Sequence, residues 1–207
     1  MKNRGILMKE KKYDQSLNIS TIGIREWRKR KQADDYNRYE ATPYKALDKL
    51  FKKYRFNKND ELIDFGCGRG RVSFYIHNRF HIPVTGIEAN DKTFEESLDN
   101  EISYRRIAEH ITAPLQFDYG LAEDYEIATT ANCFYFFNPF SVDIFKKVVH
   151  NILVSLKKKE RSVDIILYYP LPAYKRFLKD KTPFKLVKKI KVPGIHGRYG
   201  KFLIYRI

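Results

Sequence analysis

Glu61-Leu62-Ile63-Asp64-Phe65-Gly66-Cys67-Gly68-Arg69-Gly70-Arg71-Val72 decides how the rest of the 207-residue chain is read. Leu62, Ile63 and Phe65 make a short apolar run of the kind a buried parallel strand shows. Val72, Ile76 and Phe80 then recur at helical spacing. Between the two the chain turns on three glycines, the residue that lets a backbone bend tightly and approach a ligand with no Cβ in the way. A helix that begins at such a loop aims its unpaired N–H groups, together roughly half a positive charge, back at it. Strand, glycine loop and helix form a nucleotide-like binding turn.

A second apolar run, Val84-Thr85-Gly86-Ile87-Glu88-Ala89-Asn90, ends in Glu88, 18 residues after Gly70. An acid about 20 residues on, at the tip of the second strand, can accept from both hydroxyls of a ribose. The glycines do not follow the G-x-G-x-x-G of dinucleotide oxidoreductases, and no Lys-Ser or Lys-Thr follows as in a phosphate-binding loop.

Asp64-x-Gly66-x-Gly68-x-Gly70 at a strand end resembles motif I of the class I S-adenosylmethionine (SAM)-dependent methyltransferases. The resemblance covers about residues 40–207. It implies an α/β, Rossmann-like fold: a seven-stranded, mostly parallel sheet with helices on both faces and an antiparallel terminal hairpin. It further implies a SAM-binding methyltransferase domain at 39–207, preceded by a basic N-terminal extension at 1–38. The cofactor implied is S-adenosyl-L-methionine, held by Asp64, Gly66, Cys67, Gly68, Gly70 and Glu88, with no metal.

Three further segments extend the likeness. Tyr39-Glu40-Ala41-Thr42-Pro43-Tyr44 is similar to the segment before motif I in amino-group methyltransferases, where a Thr-Pro turn lies against the cofactor. Thr42 and Pro43 equally read as a plain helix cap with proline at the first helical position. In Gly120-Leu121-Ala122-Glu123-Asp124, Leu121 stands where the family commonly carries an acid near the adenine amine, leaving Glu123 or the backbone of Ala122 as substitutes. Asn138-Pro139-Phe140, after the aromatic run Phe134–Phe137, resembles the motif IV tetrapeptide [DNS]-P-P-[YFW], one proline short. In that family the polar side chain and a following carbonyl accept from the target amine and the aromatic stacks on the base. The alternative is that Asn138-Pro139 only ends a strand.

Net charge is +15, and it is unevenly placed. Residues 1–60 carry 17 Lys/Arg against 8 Asp/Glu, residues 61–156 carry 8 against 14, and residues 157–207 carry 15 against 3. An acidic core between basic flanks favours a polyanionic partner, RNA or DNA, over simple surface solvation. Trp27-Arg28-Lys29-Arg30-Lys31 sets four cations beside the only tryptophan, on an expected helix from Ile22 to about Tyr36. The combination suits single-stranded nucleic acid, although Trp27 can equally anchor that helix while its neighbours face water. Residues 1–20 read as a mobile arm or an irregular lead-in. No run is long enough to span a membrane, and the N-terminal apolar stretch is too short for a signal peptide. Two cysteines at opposite ends of their strands make neither a disulfide nor a metal site, so the expected setting is cytoplasmic.

Further along, Tyr44, Leu47, Leu50, Phe51 and Tyr54 share one face of a helix. A long helix from about Asp91 to His110 is expected to bury Phe94, Leu98, Ile102 and Ile107. Leu115–Tyr119 and Val163–Tyr169 read as strands, and Ile144–Leu156 as an apolar helix face. Phe184–Val192 and Tyr199–Ile207 read as an antiparallel edge pair. The function expected from all this is a SAM-dependent methyltransferase acting on a nucleophile, nitrogen by preference, of a nucleic acid, RNA first. A protein or small-molecule acceptor, or a SAM- or RNA-binding module without transfer, are the alternatives.

Overall fold

In a computed structural model, residues 2–27, 35–194 and 200–207 are described. Arg28, Lys29, Arg30 and Lys31 of the basic cluster, and the loop residue His196, lie outside them. Leu62–Phe65 (β3) and Cys133–Phe136 (β6) are buried at every position and form the middle of the sheet. Residues buried on both faces are what a parallel strand flanked by helices requires. Val84–Glu88 (β4) and Leu115–Tyr119 (β5) extend the sheet on one side. Asp164–Tyr168 (β7), Lys201–Arg206 (β9) and Lys185–Lys191 (β8) extend it on the other. The order is β5-β4-β3-β6-β7-β9-β8; β8 and β9 form the antiparallel edge pair and the rest run parallel. The fold expected from the sequence is therefore the fold observed.

Side chains alternate between two apolar layers. Leu62, Cys133, Tyr135 and Ile166 face the layer built with Tyr44–Phe51 (α2) and Arg71–Phe80 (α3). Ile63, Phe65, Phe134 and Phe136 face Val142–Lys158 (α5) and Pro172–Lys181 (α6). On α5, Ile144, Phe145, Val148, Val149 and Ile152 are all buried. At roughly 1.5–3 kcal/mol for each large side chain, this face holds the helix down far more strongly than its cap does. Ser141 supplies that cap, its hydroxyl accepting from the Ile144 N–H at 3.4 Å.

Three local expectations fail. Residues 2–16 are not irregular but form a helix, Lys2–Ser16 (α1). Its polar side chains tie it down: Tyr13 stacks on Tyr44 at 4.5 Å, and buried Asp14 accepts from the Thr21 N–H, the Thr21 hydroxyl and the Tyr44 hydroxyl, each at 2.7 Å. The expected helix from Ile22 is, in its described part, the strand Ile24–Arg25 (β1), paired antiparallel with Tyr39–Glu40 (β2). The helix Asp91–Arg105 (α4) is real, but its inward face is Thr93, Ser97, Asn100 and Tyr104, whereas Leu98 and Ile102 are exposed, as is Ile107 beyond its end. The reason is the 18–20 segment, which lies on that face. The Asn100 carboxamide accepts from the Ser20 N–H at 2.7 Å and donates to the Ser20 carbonyl at 3.1 Å. Asn18 donates to the Ser103 carbonyl at 2.7 Å. Polar backbone against polar side chains wins over the apolar period because a buried amide without a partner costs about 1–3 kcal/mol.

Candidate active site

The chain leaves β3 and turns back on itself at once: the N–H groups of Gly66 and Cys67 both donate to the Ile87 carbonyl of β4, at 2.9 and 3.0 Å. Gly66 and Gly68 hold φ of +72° and +59°, the left-handed region in which glycine has no Cβ to strain. Space forbids a side chain there as well. A Cβ on Gly66 would lie 2.4 Å from Pro139, and one on Gly68 would lie 2.2 Å from the ring of Tyr39. What approaches Gly68 so closely is thus a side chain of β2. Gly70 ends the loop as the residue before α3, packed towards Phe74 and Phe117.

Sheet order turns this loop into one wall of a crevice. From β3 the chain proceeds outwards through β4 and β5, then returns to the other side of β3 as β6. The carboxyl ends of β3 and β6 therefore flank a topological switch point, where open α/β sheets bind their ligands. The cleft found there, about 770 Å³ with its open mouth included, is lined by Thr42, Asp64, Gly66, Cys67, Glu88, Ala122, Pro139 and Phe140 among others. Glu88 Oε2 accepts from the Gly68 N–H and Oε1 from the Asn90 N–H, both at 2.8 Å. Each carboxylate oxygen keeps a lone pair for another donor. Burial raises the Glu88 carboxyl above its ordinary range, against the pull of those backbone N–H groups. Burial is also the main cause that pushes Asp64 up to about 7, with the negative neighbour Glu88 adding to it; the Ser73 hydroxyl, donating at 2.9 Å, pulls the other way. The Cys67 thiol is pushed up by burial and stays neutral.

Thr42 does not cap α2, which starts after Pro43 without a side-chain cap; its hydroxyl meets that of Tyr135 at 2.9 Å under the cleft. Of the candidates after β5, Ala122 lines the cleft, whereas the Glu123 carboxylate is taken by the Tyr36 hydroxyl at 2.5 Å. Asn138 holds φ of +44°, and its Oδ1 is buried without a hydrogen-bond partner among the described residues. Trp27 lines the cleft mouth; its indole N–H donates to the Asn37 carbonyl at 2.9 Å and its ring meets Tyr36 at 5.5 Å. A smaller recess beside it is lined by Glu26, Trp27, Tyr36, Arg38, Glu40 and Phe137, and it is this recess, not the cleft, that Asn138 lines. Among the described residues no group of three or more His, Cys, Asp and Glu could hold a metal ion, and no helix is long and apolar enough to cross a membrane.

Three residues of the site have no role in the sequence reading. Tyr39 covers the glycine loop, with the Arg69 guanidinium 5.0 Å from its ring centre and its hydroxyl donating to the Thr21 carbonyl at 2.5 Å. Asn37 binds the loop after β6. Arg71, almost wholly buried, pairs with Glu10 and Asp14, donates to the Thr21 hydroxyl at 2.6 Å and lies 4.4 Å from the ring centre of Tyr44. Only Arg71 carried a signal: a cation in the first turn of a helix opposes the helix dipole and needs an anion nearby.

No protein-family model matches the chain. A stretch of 63 residues is 30% identical to a protein-lysine N-methyltransferase of Saccharolobus islandicus (strain REY15A), covering 30% of this chain and 39% of that protein. The chain thus matches about two fifths of that relative's length. Solved structures align over much more. An RNA methyltransferase from Salinibacter ruber, in complex with S-adenosyl-L-homocysteine, matches with a TM-score of 0.54 at 14% identity, over 81% of this chain and 92% of that one. Aeropyrum pernix fibrillarin with bound SAM matches with a TM-score of 0.55 at 14% identity, over 79% and 73%. A SAM-dependent methyltransferase from Thiobacillus denitrificans matches with 0.52 at 17%, over 73% and 67%. At these identities the likeness is one of fold: the chain has the fold of the class I SAM-dependent methyltransferases.

Proposed function

We infer that the chain is a SAM-dependent methyltransferase, with 39–207 as the cofactor-binding unit and 1–38 as its extension, and that its acceptor is a nitrogen of a nucleic acid, RNA first. One observation carries the reading: Asp64, Gly66 and Cys67 of the motif, Glu88 of the next strand tip, and Pro139 and Phe140 after β6 line one crevice at the switch point of the sheet. The residues suit the cofactor. Glu88 has lone pairs for a ribose diol, and Ala89, Asn90 and Ala122 form the walls beyond it. Asp64, Gly66 and Cys67 line the same cleft and would supply a carboxyl group and loop backbone to the cofactor. When bound, SAM would supply a methyl group on a sulfonium; the acceptor nitrogen would form the new N–C bond in line as the S–C bond breaks, with S-adenosyl-L-homocysteine as the leaving group and the nitrogen's proton passing to solvent. The task left to the chain is to hold the nitrogen and keep water out. Asn138 lines the recess next to the cleft, and its unpartnered Oδ1 would accept from an acceptor N–H that reached it from there.

RNA is favoured by charge placement. Lys188 of β8 donates to the Lys53 carbonyl at 2.7 Å, so Lys185 and Lys188, which share one face of β8, join Lys52 and Lys53 there. The free cysteines and an RNA acceptor suit a cytoplasmic setting. A protein lysine is the second reading. It rests on the name of the Saccharolobus relative and on the recess of Trp27, Tyr36, Glu26 and Glu40, whose rings and carboxylates could take an ammonium. Incubation with methyl-labelled SAM, followed by separation of RNA, DNA, protein and small molecules, decides between them. Label in RNA is expected. Label in protein alone would favour the second reading, and SAM binding with no transfer would reduce the chain to a binding module.

A further inference from the structure

The loop after β6 is already engaged. The Asn37 backbone N–H donates to the Pro139 carbonyl at 2.8 Å, and its side-chain Nδ2 donates to the Asn138 carbonyl, also at 2.8 Å. The pairing continues on both sides. The Ser141 N–H donates to the Asp35 carbonyl at 2.6 Å, Tyr36 and Phe140 form an antiparallel bridge, and their rings meet edge-on at 5.9 Å. Residues 35–37 thus add a strand to the segment that closes one wall of the cleft. They do so while staying on the surface: Asp35 and Asn37 are exposed, and Tyr36 is half-buried.

The chemistry of this contact is that of a bound amine. A primary amide or an amino nitrogen offers N–H donors, and the two carbonyls at 138 and 139 are the acceptors beside the glycine loop, since Pro139 packs on Gly66. Asn37 fills both with two N–H groups from one residue. Asn138 Oδ1, one residue away, is left without a donor, although a buried carbonyl of this kind ordinarily has one. Two further hydrogen bonds hold the segment shut from behind: the Trp27 indole N–H to the Asn37 carbonyl, and the Tyr36 hydroxyl to Glu123.

We propose that residues 35–37 are an internal strap that occupies the acceptor half of the cleft, with Asn37 standing where the acceptor's N–H donors belong, so that the acceptor enters only as the strap leaves. The proposal rests on the methyltransferase reading given above. It assigns the 138–139 carbonyls to an acceptor carrying at least two N–H donors, such as an exocyclic amino group beside a ring N–H. It also makes the free chain self-blocked. The strap differs from a lid that closes over bound substrate, because here the closed form and the bound acceptor compete for the same two carbonyls.

Trp27 is the only tryptophan, and its indole N–H ends on Asn37, so its fluorescence reports the strap directly. The test uses the full chain as wild type, Asn37→Ala and Asn37→Asp. The first variant removes the donor to Asn138; the second sets a carboxylate against that carbonyl. Both are expected to shift Trp27 emission to the red with no ligand added, and total RNA is expected to shift the wild type the same way. With labelled SAM, Asn37→Ala should raise kcat/KM for the acceptor about fivefold, the worth of one neutral hydrogen bond released from the closed form. SAM affinity by calorimetry should stay within twofold. Unchanged emission in both variants, or a lower kcat/KM with SAM binding intact, would make the strap a fixed wall of the site and overturn the proposal. Failure of the underlying reading shows differently: the folded wild type would give no calorimetric SAM signal at all.

Discussion

Asp64→Asn tests the acid of the site that burial pushes up to about 7. The side chain is 2% exposed at the end of β3, and Ser73 is the group that donates to it. Its carboxyl titrates near 7 in the fold against 3.8 in the unfolded chain. Below pH 3.8 both states hold the proton and the group is neutral in its effect. As pH rises from there to 7, the unfolded chain releases the proton first, so native stability is lost, by about 1.4 kcal/mol per pH unit; above 7 the loss levels off. Between pH 5 and 8.5 the expected loss is about 3 kcal/mol. The substituted carboxamide cannot ionise and keeps an acceptor for Ser73, so the variant should escape that loss. For a chain of this size about 3 kcal/mol corresponds to roughly 6–12 °C in Tm. Melting curves by circular dichroism for wild type and variant across pH 5–8.5 measure it: the two should lie closest at pH 5, diverge to about pH 7 and hold a constant gap above it. Parallel Tm profiles would mean that Asp64 is ionised in the fold throughout, and that burial is offset by something other than Ser73.

Glu88→Ala should weaken SAM binding roughly tenfold to a hundredfold, the worth of a hydrogen bond to a charged group of about 1.5–3 kcal/mol; a calorimetric change under twofold would remove Glu88 from the ribose site. Arg71→Met should cost about 3–5 kcal/mol in chemical denaturation, because it leaves Glu10 and Asp14 buried without their cation. Adding Glu10→Gln and Asp14→Asn to it should recover most of that loss, and no recovery would locate the damage elsewhere. Gly68→Ala should lower Tm and free Tyr39 to more exposed surroundings, read by tyrosine accessibility to nitration, since its Cβ meets the Tyr39 ring. Charge reversal at Lys52, Lys53, Lys185 and Lys188 should flatten the salt dependence of RNA binding in filter assays, by roughly 0.7 in log–log slope for each phosphate no longer neutralised; an unchanged slope would argue against RNA at that face.

The parts of the fold written locally were legible. Asp64 to Gly70 and Glu88 could be read because a turn at a strand end needs glycine within a few residues, and an acid at the next strand tip follows at a fixed distance. The hairpin of β8 and β9 could be read for the same reason. The α4 face could not, since Leu98, Ile102 and Ile107 follow the helical period of a buried face while the neighbour that covers α4 is the polar 18–20 segment, which nothing in α4 itself announces. The site shows the same division. Its floor is one continuous motif, whereas its cover is assembled from Asn37 and Tyr39, whose partners Asn138 and Gly68 are remote in sequence, with Trp27 set against Asn37. Nothing in Tyr39-Glu40-Ala41-Thr42-Pro43 says that its tyrosine will lie on Gly68. That contact needs β1 and β2 to be paired first.

The Arg71 cluster also bears on how the chain acquires its structure. Glu10 is 61 residues upstream of the guanidinium that neutralises it. Until β3 and the glycine loop are in place, α1 has two acids to hide and no cation to hide them with, and its own apolar face is weak. The helix can therefore dock only after the central strands have met, as a late clasp on a core that is already formed. Closing so long a loop is an entropic cost met near the end of folding. Conditions that loosen the glycine loop should then release α1 first. In hydrogen exchange its amides should open together with those of the loop and well ahead of those of β3 and β6.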